Sequence, residues 1–126
     1  MNDVIIKQIH KLGEDERGIT YDFQTKKTGD FLFLMRRAGS ISGNSYHEGK
    51  NAGTNPKILI ILSGSVEFRY RRVGSDSMKS ISVSEPSIIE VQPYVIHAVY
   101  AVTDFTMLEA NSIEDIRQDR IREDVL

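Results

Sequence analysis

The sequence predicts an all-β protein with one short helix near its end. Short stretches rich in Val, Ile, Phe and Tyr recur along the chain, at the roughly 8–12-residue spacing of a sandwich or barrel. Several of them alternate apolar and polar side chains, the period-two signature of a half-buried strand. Only after Ser112 does the pattern turn helical. The length of 126 residues fits a single domain over positions 1–126, since a chain this long buries a core without disulfide or metal staples.

Taken in order, Val4 to Ile9 (VIIKQI) is a β-rich start, and the charged Gly13–Gly18 segment reads as a turn. Ile19 to Gln24 alternates, with Ile19, Tyr21 and Phe23 on one face. The continuous apolar run Phe31 to Met35 reads as a strand buried on both faces. Gly39 to Asn55 holds four glycines and is turn-rich, with one short strand around Asn44–His47. Lys57 to Leu62 is the strongest strand, and Ser63–Gly64 forms a tight turn after it. Val66 to Arg72 sets Val66, Phe68 and Tyr70 on one face and Glu67, Arg69 and Arg71 on the other. Four more short strands follow at Ile81–Val83, Ile88–Val91, Val95–Val102 and Phe105–Leu108. Ser112 suits an N-cap, with Glu114 and Asp115 at the positive end of the helix dipole. Ile113, Ile116 and Ile121 share a face of that charged helix.

Composition narrows the chemistry. Sixteen Lys and Arg against eighteen Asp and Glu give a net charge of −2, unlike the basic surface that nonspecific nucleic-acid binding needs. The chain has no cysteine, which excludes disulfides, thiolate nucleophiles and Cys-type zinc sites. His10, His47 and His97 are its three histidines. The start of the chain carries Asp3 and only a three-residue apolar run, unlike a signal peptide. No segment approaches the roughly 18–20 apolar residues of a membrane span. These features lead us to expect a cytoplasmic protein with no nucleic-acid or membrane partner.

On residue type alone several candidates stay two-sided. His47 sits in a Gly/Ser/Asn loop, as a surface histidine or as a pocket group. His97 lies in an apolar strand, as a satisfied core residue or as a pocket group. Lys57 is either a strand-end charge reaching water or a pocket ammonium. Arg69 and Arg71 alternate with apolar side chains, so a solvated outer face is their default.

Two stretches narrow these alternatives: GNSYHEGKNAGTNPKILIILSGSVEF (positions 43–68) and PSIIEVQPYVIHAVY (positions 86–100). Together they resemble the two motifs of the cupin family, whose fold is a double-stranded β-helix, or jelly-roll barrel. Gly64 matches the closing glycine of the first motif, and His97 matches the single histidine of the second. Ser45 and His47 stand at the two positions of the His-X-His pair, and Lys57 stands where the family has a metal-binding Glu. The second motif's Pro and Gly fall on Gln92 and Tyr94, with Pro93 displaced by one. An ammonium beside a dication is strongly unfavourable. Glu48, directly after His47, points to the other face of a strand. The expectation is therefore a pocket with no metal and no cofactor.

A narrower resemblance rests on EDERGITYDF (positions 14–23) and GSISGNSYHEGK (positions 39–50). They are similar to the sugar 3,4-ketoisomerases and to the C-terminal cupin domain of capsular-polysaccharide enzymes. Lys57 before the ILIIL strand is also similar to the deoxysugar 3,5-epimerases. The resemblance implies an isomerase or epimerase acting on a nucleotide-linked 4-keto sugar in surface-polysaccharide synthesis. His47 would then take a proton alpha to the carbonyl, and Lys57 and His97 would flank the developing enolate. Arg17, Arg69 and Arg71 are candidates for the diphosphate, and Tyr46, Tyr70, Tyr94 and Tyr100 for stacking or proton donation. The chain departs from those enzymes at Ser45, which replaces a catalytic histidine, and at Ser42, which replaces an arginine. The alternatives are a non-catalytic small-molecule-binding cupin and a divalent-metal cupin enzyme. Such barrels pair through their N-terminal strands, so a homodimer using the VIIKQI segment is expected.

Overall fold

A computed structural model of the chain describes residues 2–84 and 86–126. Its strands are β1 (Val4–Gln8), β2 (His10–Asp15), β3 (Gly18–Asp22), β4 (Phe31–Arg36), β5 (Ile41–His47), β6 (Lys57–Ser63), β7 (Val66–Arg72), β8 (Lys79–Val83), β9 (Ser87–Val91), β10 (Val95–Ala101), β11 (Phe105–Ala110) and β12 (Arg120–Arg122). The helix α1 (Ile113–Gln118) precedes β12. The strands form a five-stranded sheet in the order β1-β9-β6-β11-β4, a second in the order β12-β5-β10-β7-β8, and a separate hairpin of β2 and β3. The paired strands within them run antiparallel.

Alternation decides what lies between the sheets. Leu59 and Ile61 of β6, Val66 and Phe68 of β7, Ile89 and Val91 of β9, and Phe105 and Met107 of β11 form one buried cluster with Val95 and Val99 of β10. Burying each such side chain contributes about 1.5–3 kcal/mol. The opposite set, Ile58, Ile60, Ile88 and Ala110, forms a smaller cluster on the outside of the first sheet. Ile96, Ala98 and Val125 form another on the outside of the second. Gly64 (φ 88°) makes the tight β6–β7 connection, and a side chain there would run into the Asp104 carbonyl and Phe105.

Four sequence expectations change. The supposed turn at 13–18 lies mostly within the β2–β3 hairpin, and only the positions between Asp15 and Gly18 turn. Phe31 to Met35 is not buried on both faces: β4 is an edge strand, with Phe33 64% and Met35 73% exposed. The turn-rich 39–55 segment contains a full seven-residue strand, β5. The helix stops at Gln118, and Ile121 lies in β12, paired with Tyr46 of β5. The VIIKQI segment is an edge strand as expected, paired on its inner side with β9.

Candidate active site inside the barrel

One end of the barrel interior is polar. His47 closes β5, and His97 lies near the start of β10. His97 is paired across the sheet with Ser45 on one side and Tyr70 on the other, so all three share its inward face. The backbone allows this because Gly43 and Asn44 take positive φ values at a bulge opposite His97 and Ala98. That bulge shifts the alternation so that Ser42, Ser45 and His47 all face inward. A side chain on Gly43 would meet the His97 carbonyl at 3.2 Å.

The two imidazoles lie with ring centroids 5.7 Å apart, and Phe68 stacks on His97 at 5.9 Å. His97 Nδ1 lies 3.0 Å from the Val95 carbonyl. A carbonyl only accepts, so Nδ1 carries the proton and Nε2 presents a lone pair. His47 Nε2 is buried with no hydrogen-bond partner. Burial, followed by the neighbouring His97 and Lys57, pushes the His47 pKa down to about 3. Burial also lowers that of His97. Both rings are therefore neutral near pH 7, the form that accepts a proton.

Lys57 begins β6 on the inward side and is 1% exposed. Its ammonium donates to the Ala110 carbonyl and forms a 2.9 Å ion pair with Glu109. Burial lowers its pKa, and the Glu109 carboxylate opposes that shift. The strand-end reading is thereby excluded, because this ammonium does not reach water. Glu109 escaped the sequence reading, although it continues the inward face of Phe105 and Met107 two residues on.

Asp119, also missed, pins the loop that follows His47. Its carboxylate accepts from the amides of Glu48, Gly49 and Lys50 and from the Thr54 hydroxyl, at 2.6–2.9 Å. Burial raises its pKa, but these hydrogen bonds together outweigh that and hold it below the usual carboxylate value. No local pattern announces it, since its partners lie 65 to 71 residues away.

The other expected site residues scatter. Tyr70 is inward and packs on Phe68, with ring centroids 6.0 Å apart. Tyr46 points outward, packed on the Ile96–Ala98–Val125 cluster and 6.0 Å from the Tyr94 ring. Arg69 also lies outside, bonded to Glu67 at 2.6 Å and stacked 3.9 Å over Tyr100, which takes Tyr100 outward with it. Arg71 holds the end of the chain through Glu123 and the carbonyls of Asp124 and Val125. Arg17 sits in the β2–β3 turn, bonded to Asp15 at 2.7 Å. His10 is exposed on β2.

Among the described residues no group of three or more His, Asp and Glu is placed to hold a metal ion. The donor set does not fit the cupin metal, because Lys57 already occupies Glu109. A cavity of about 960 Å³ lies outside the first sheet over Ile58 and Ile88, and neither His47 nor His97 lines it. Among the described residues no helix is long and apolar enough to cross a membrane.

Comparison with known proteins agrees with this architecture. The structure of QdtA, a sugar 3,4-ketoisomerase from Thermoanaerobacterium thermosaccharolyticum in complex with TDP, superposes with a TM-score of 0.72 at 19% identity, over 96% of this chain and 88% of that one. ChmJ, a 3'-monoepimerase from Streptomyces bikiniensis in complex with dTDP-quinovose, gives 0.70 at 12% identity, over 90% of this chain and 67% of that one. CapF, a capsular polysaccharide assembling protein from Staphylococcus aureus, gives 0.63 at 22% identity, over 92% of this chain but only 34% of CapF. These likenesses establish the cupin barrel. No curated protein matches the chain in sequence. The polysaccharide biosynthesis C-terminal domain matches residues 13–120, and the chain belongs to that family.

Proposed function

We propose that this single-domain cupin is a sugar-nucleotide isomerase or epimerase of surface-polysaccharide synthesis, acting on a nucleotide-linked 4-keto sugar. The observation that carries the reading is the buried pair of neutral histidines beside the Lys57 ammonium. Moving a ketone along a sugar, or inverting the neighbouring carbon, needs a base for the proton alpha to the carbonyl and a positive neighbour for the enolate oxygen. The unpartnered His47 imidazole serves as the base. Lys57 and His97 flank the charge that develops, with Lys57 as the cation, and Tyr70 closes the inner wall. QdtA and ChmJ, which share the fold, are bound to TDP and to a TDP-linked sugar.

The test is proton exchange. The protein is incubated with TDP-4-keto-6-deoxyglucose in D2O, and the sugar carbons flanking the ketone are followed by NMR. Wild type should incorporate deuterium and His47→Asn should not. Absence of thermal stabilisation by any TDP- or UDP-linked sugar sinks the nucleotide-sugar reading. A second reading, a binding module without catalysis, is favoured by Ser45 in place of a histidine and by the sealed position of Lys57. It is distinguished by stabilisation without exchange.

The same reading includes a homodimer and a cytoplasmic location. The cysteine-free composition suits a reducing compartment. The dimer is supported by the β2–β3 hairpin, which pairs with no other strand among the described residues and exposes Leu12, Ile19, Tyr21 and Phe23.

A further inference from the structure

A diphosphate needs a cation, and the arginines proposed for it from the sequence are engaged elsewhere. Arg17 is paired with Asp15, Arg69 with Glu67 and Arg71 with Glu123. Arg36 is different. Among the described residues it has no carboxylate partner: Nε donates to Ser42 Oγ at 3.1 Å and Nη1 to the Met35 carbonyl at 3.2 Å.

Its position follows from the register. Arg36 ends β4 opposite Phe105, an inward core residue, so it continues the inward row of Leu32 and Leu34. Ser42 of β5 lies opposite Val99, also inward. Just before β5, the Ser40 carbonyl accepts from the Ala101 amide, and its hydroxyl is buried with no hydrogen-bond partner. β4 is the edge of the first sheet, and β5 lies one strand from the edge of the second. The Arg36 guanidinium and the Ser42 hydroxyl thus meet on the seam where the sheets face each other, with Ser40 two residues before Ser42. The Ser40 hydroxyl has no partner, and no carboxylate neutralises the guanidinium among the described residues.

We infer that Arg36, with Ser40 and Ser42, is the seat for the diphosphate of the nucleotide sugar, and this rests on the function proposed above. Ser42 precedes His47 by five residues on β5, about 16 Å along an ideal strand and less across the bulge. The guanidinium is held at the Ser42 end of that span by its bond to Ser42 Oγ. The sugar ring then lies at His47 with its diphosphate towards Arg36, whose planar fork matches phosphate oxygens. Arg36 is a binding residue and takes no part in proton transfer.

Calorimetric titration with TDP across a range of salt concentrations tests the seat. Arg36→Gln should weaken TDP binding roughly tenfold or more and flatten its salt dependence. Arg36→Lys, which keeps the charge and removes the fork, should lose affinity by a few-fold and keep the salt dependence. Ser40→Ala should weaken TDP modestly with its slope intact. If wild type binds TDP and Arg36→Gln binds it equally well, the seat is wrong and the proposed function stands. The seat is also wrong if Arg36→Gln lowers affinity with an unchanged salt slope, the mark of a merely structural role. Should Arg36→Gln not fold, an Arg36→Lys protein whose salt slope drops overturns the seat instead. A wild type that binds neither TDP nor a TDP-sugar overturns the proposed function and the seat together.

Discussion

His47 and His97 are uncharged because they are buried, and that has a measurable consequence. An imidazole in the unfolded chain titrates near 6.5, whereas folded His47 titrates near 3. Below pH 6.5 the unfolded state therefore takes up protons that the folded state refuses. Stability is fully present above the unfolded value and falls as the pH drops towards the folded one. Each such histidine steepens the loss by at most about 1.4 kcal/mol per pH unit. Urea denaturation between pH 7 and 4 should show this slope in wild type and a shallower one in His47→Gln. Equal slopes would mean that His47 is already charged or solvated. Asp119 acts in a lower window. Its folded pKa is depressed, so its contribution is present above the unfolded carboxylate value and disappears only as the pH falls below about 4.

At the scale of elements, the loop after β5 is held from outside by the segment between α1 and β12. Asp119 is the buried carboxylate that does this, and it satisfies three consecutive amides. Replacing it with alanine leaves those donors unpaired, at a cost of about 3 kcal/mol. We expect Asp119→Ala to lower the unfolding free energy by that order and to raise amide exchange at Glu48–Lys50. Unchanged exchange there would show that the loop holds itself. This coupling also marks where the sequence stops being legible. The inward face of β7 was readable because Val66, Phe68 and Tyr70 alternate with charges. The same rule, applied to His47, puts adjacent Tyr46 outside, and applied to Tyr70 it puts Arg69 outside, as the structure has them. Family likeness had grouped these residues by position in the chain, without regard to face. Three features were out of reach of local patterns: the Lys57–Glu109 pair, the Asp119 anchor and the β5–β12 pairing. Each depends on register between segments far apart in the chain.

At the scale of the whole molecule, the barrel accounts for the burial of both sheets' inner faces but leaves one element without support. The β2–β3 hairpin has every residue exposed along both strands. A lone two-stranded hairpin is marginal in water, and this one presents Leu12 70% exposed beside Ile19, Tyr21 and Phe23. A matching surface exists on the same molecule. β4 is a free sheet edge whose outer face displays Phe33 and Met35. An edge strand accepts another strand through its unpaired backbone groups. A second copy can therefore lay its hairpin along β4, and by symmetry receive one in return, in a closed two-fold pair. β1 is the opposite edge of the same sheet, paired only with β9 among the described residues, so the exchange through VIIKQI expected from the sequence is the competing seam. Light scattering behind size exclusion should give twice the 14.3 kDa chain mass. Phe33→Glu combined with Met35→Lys should halve that mass while the protein keeps its β-sheet circular dichroism. A wild type that elutes as a monomer, or a double variant that stays dimeric, removes the hairpin exchange. In the first case the hairpin should exchange its amides much faster than β6 and β10, which form the centres of the two sheets.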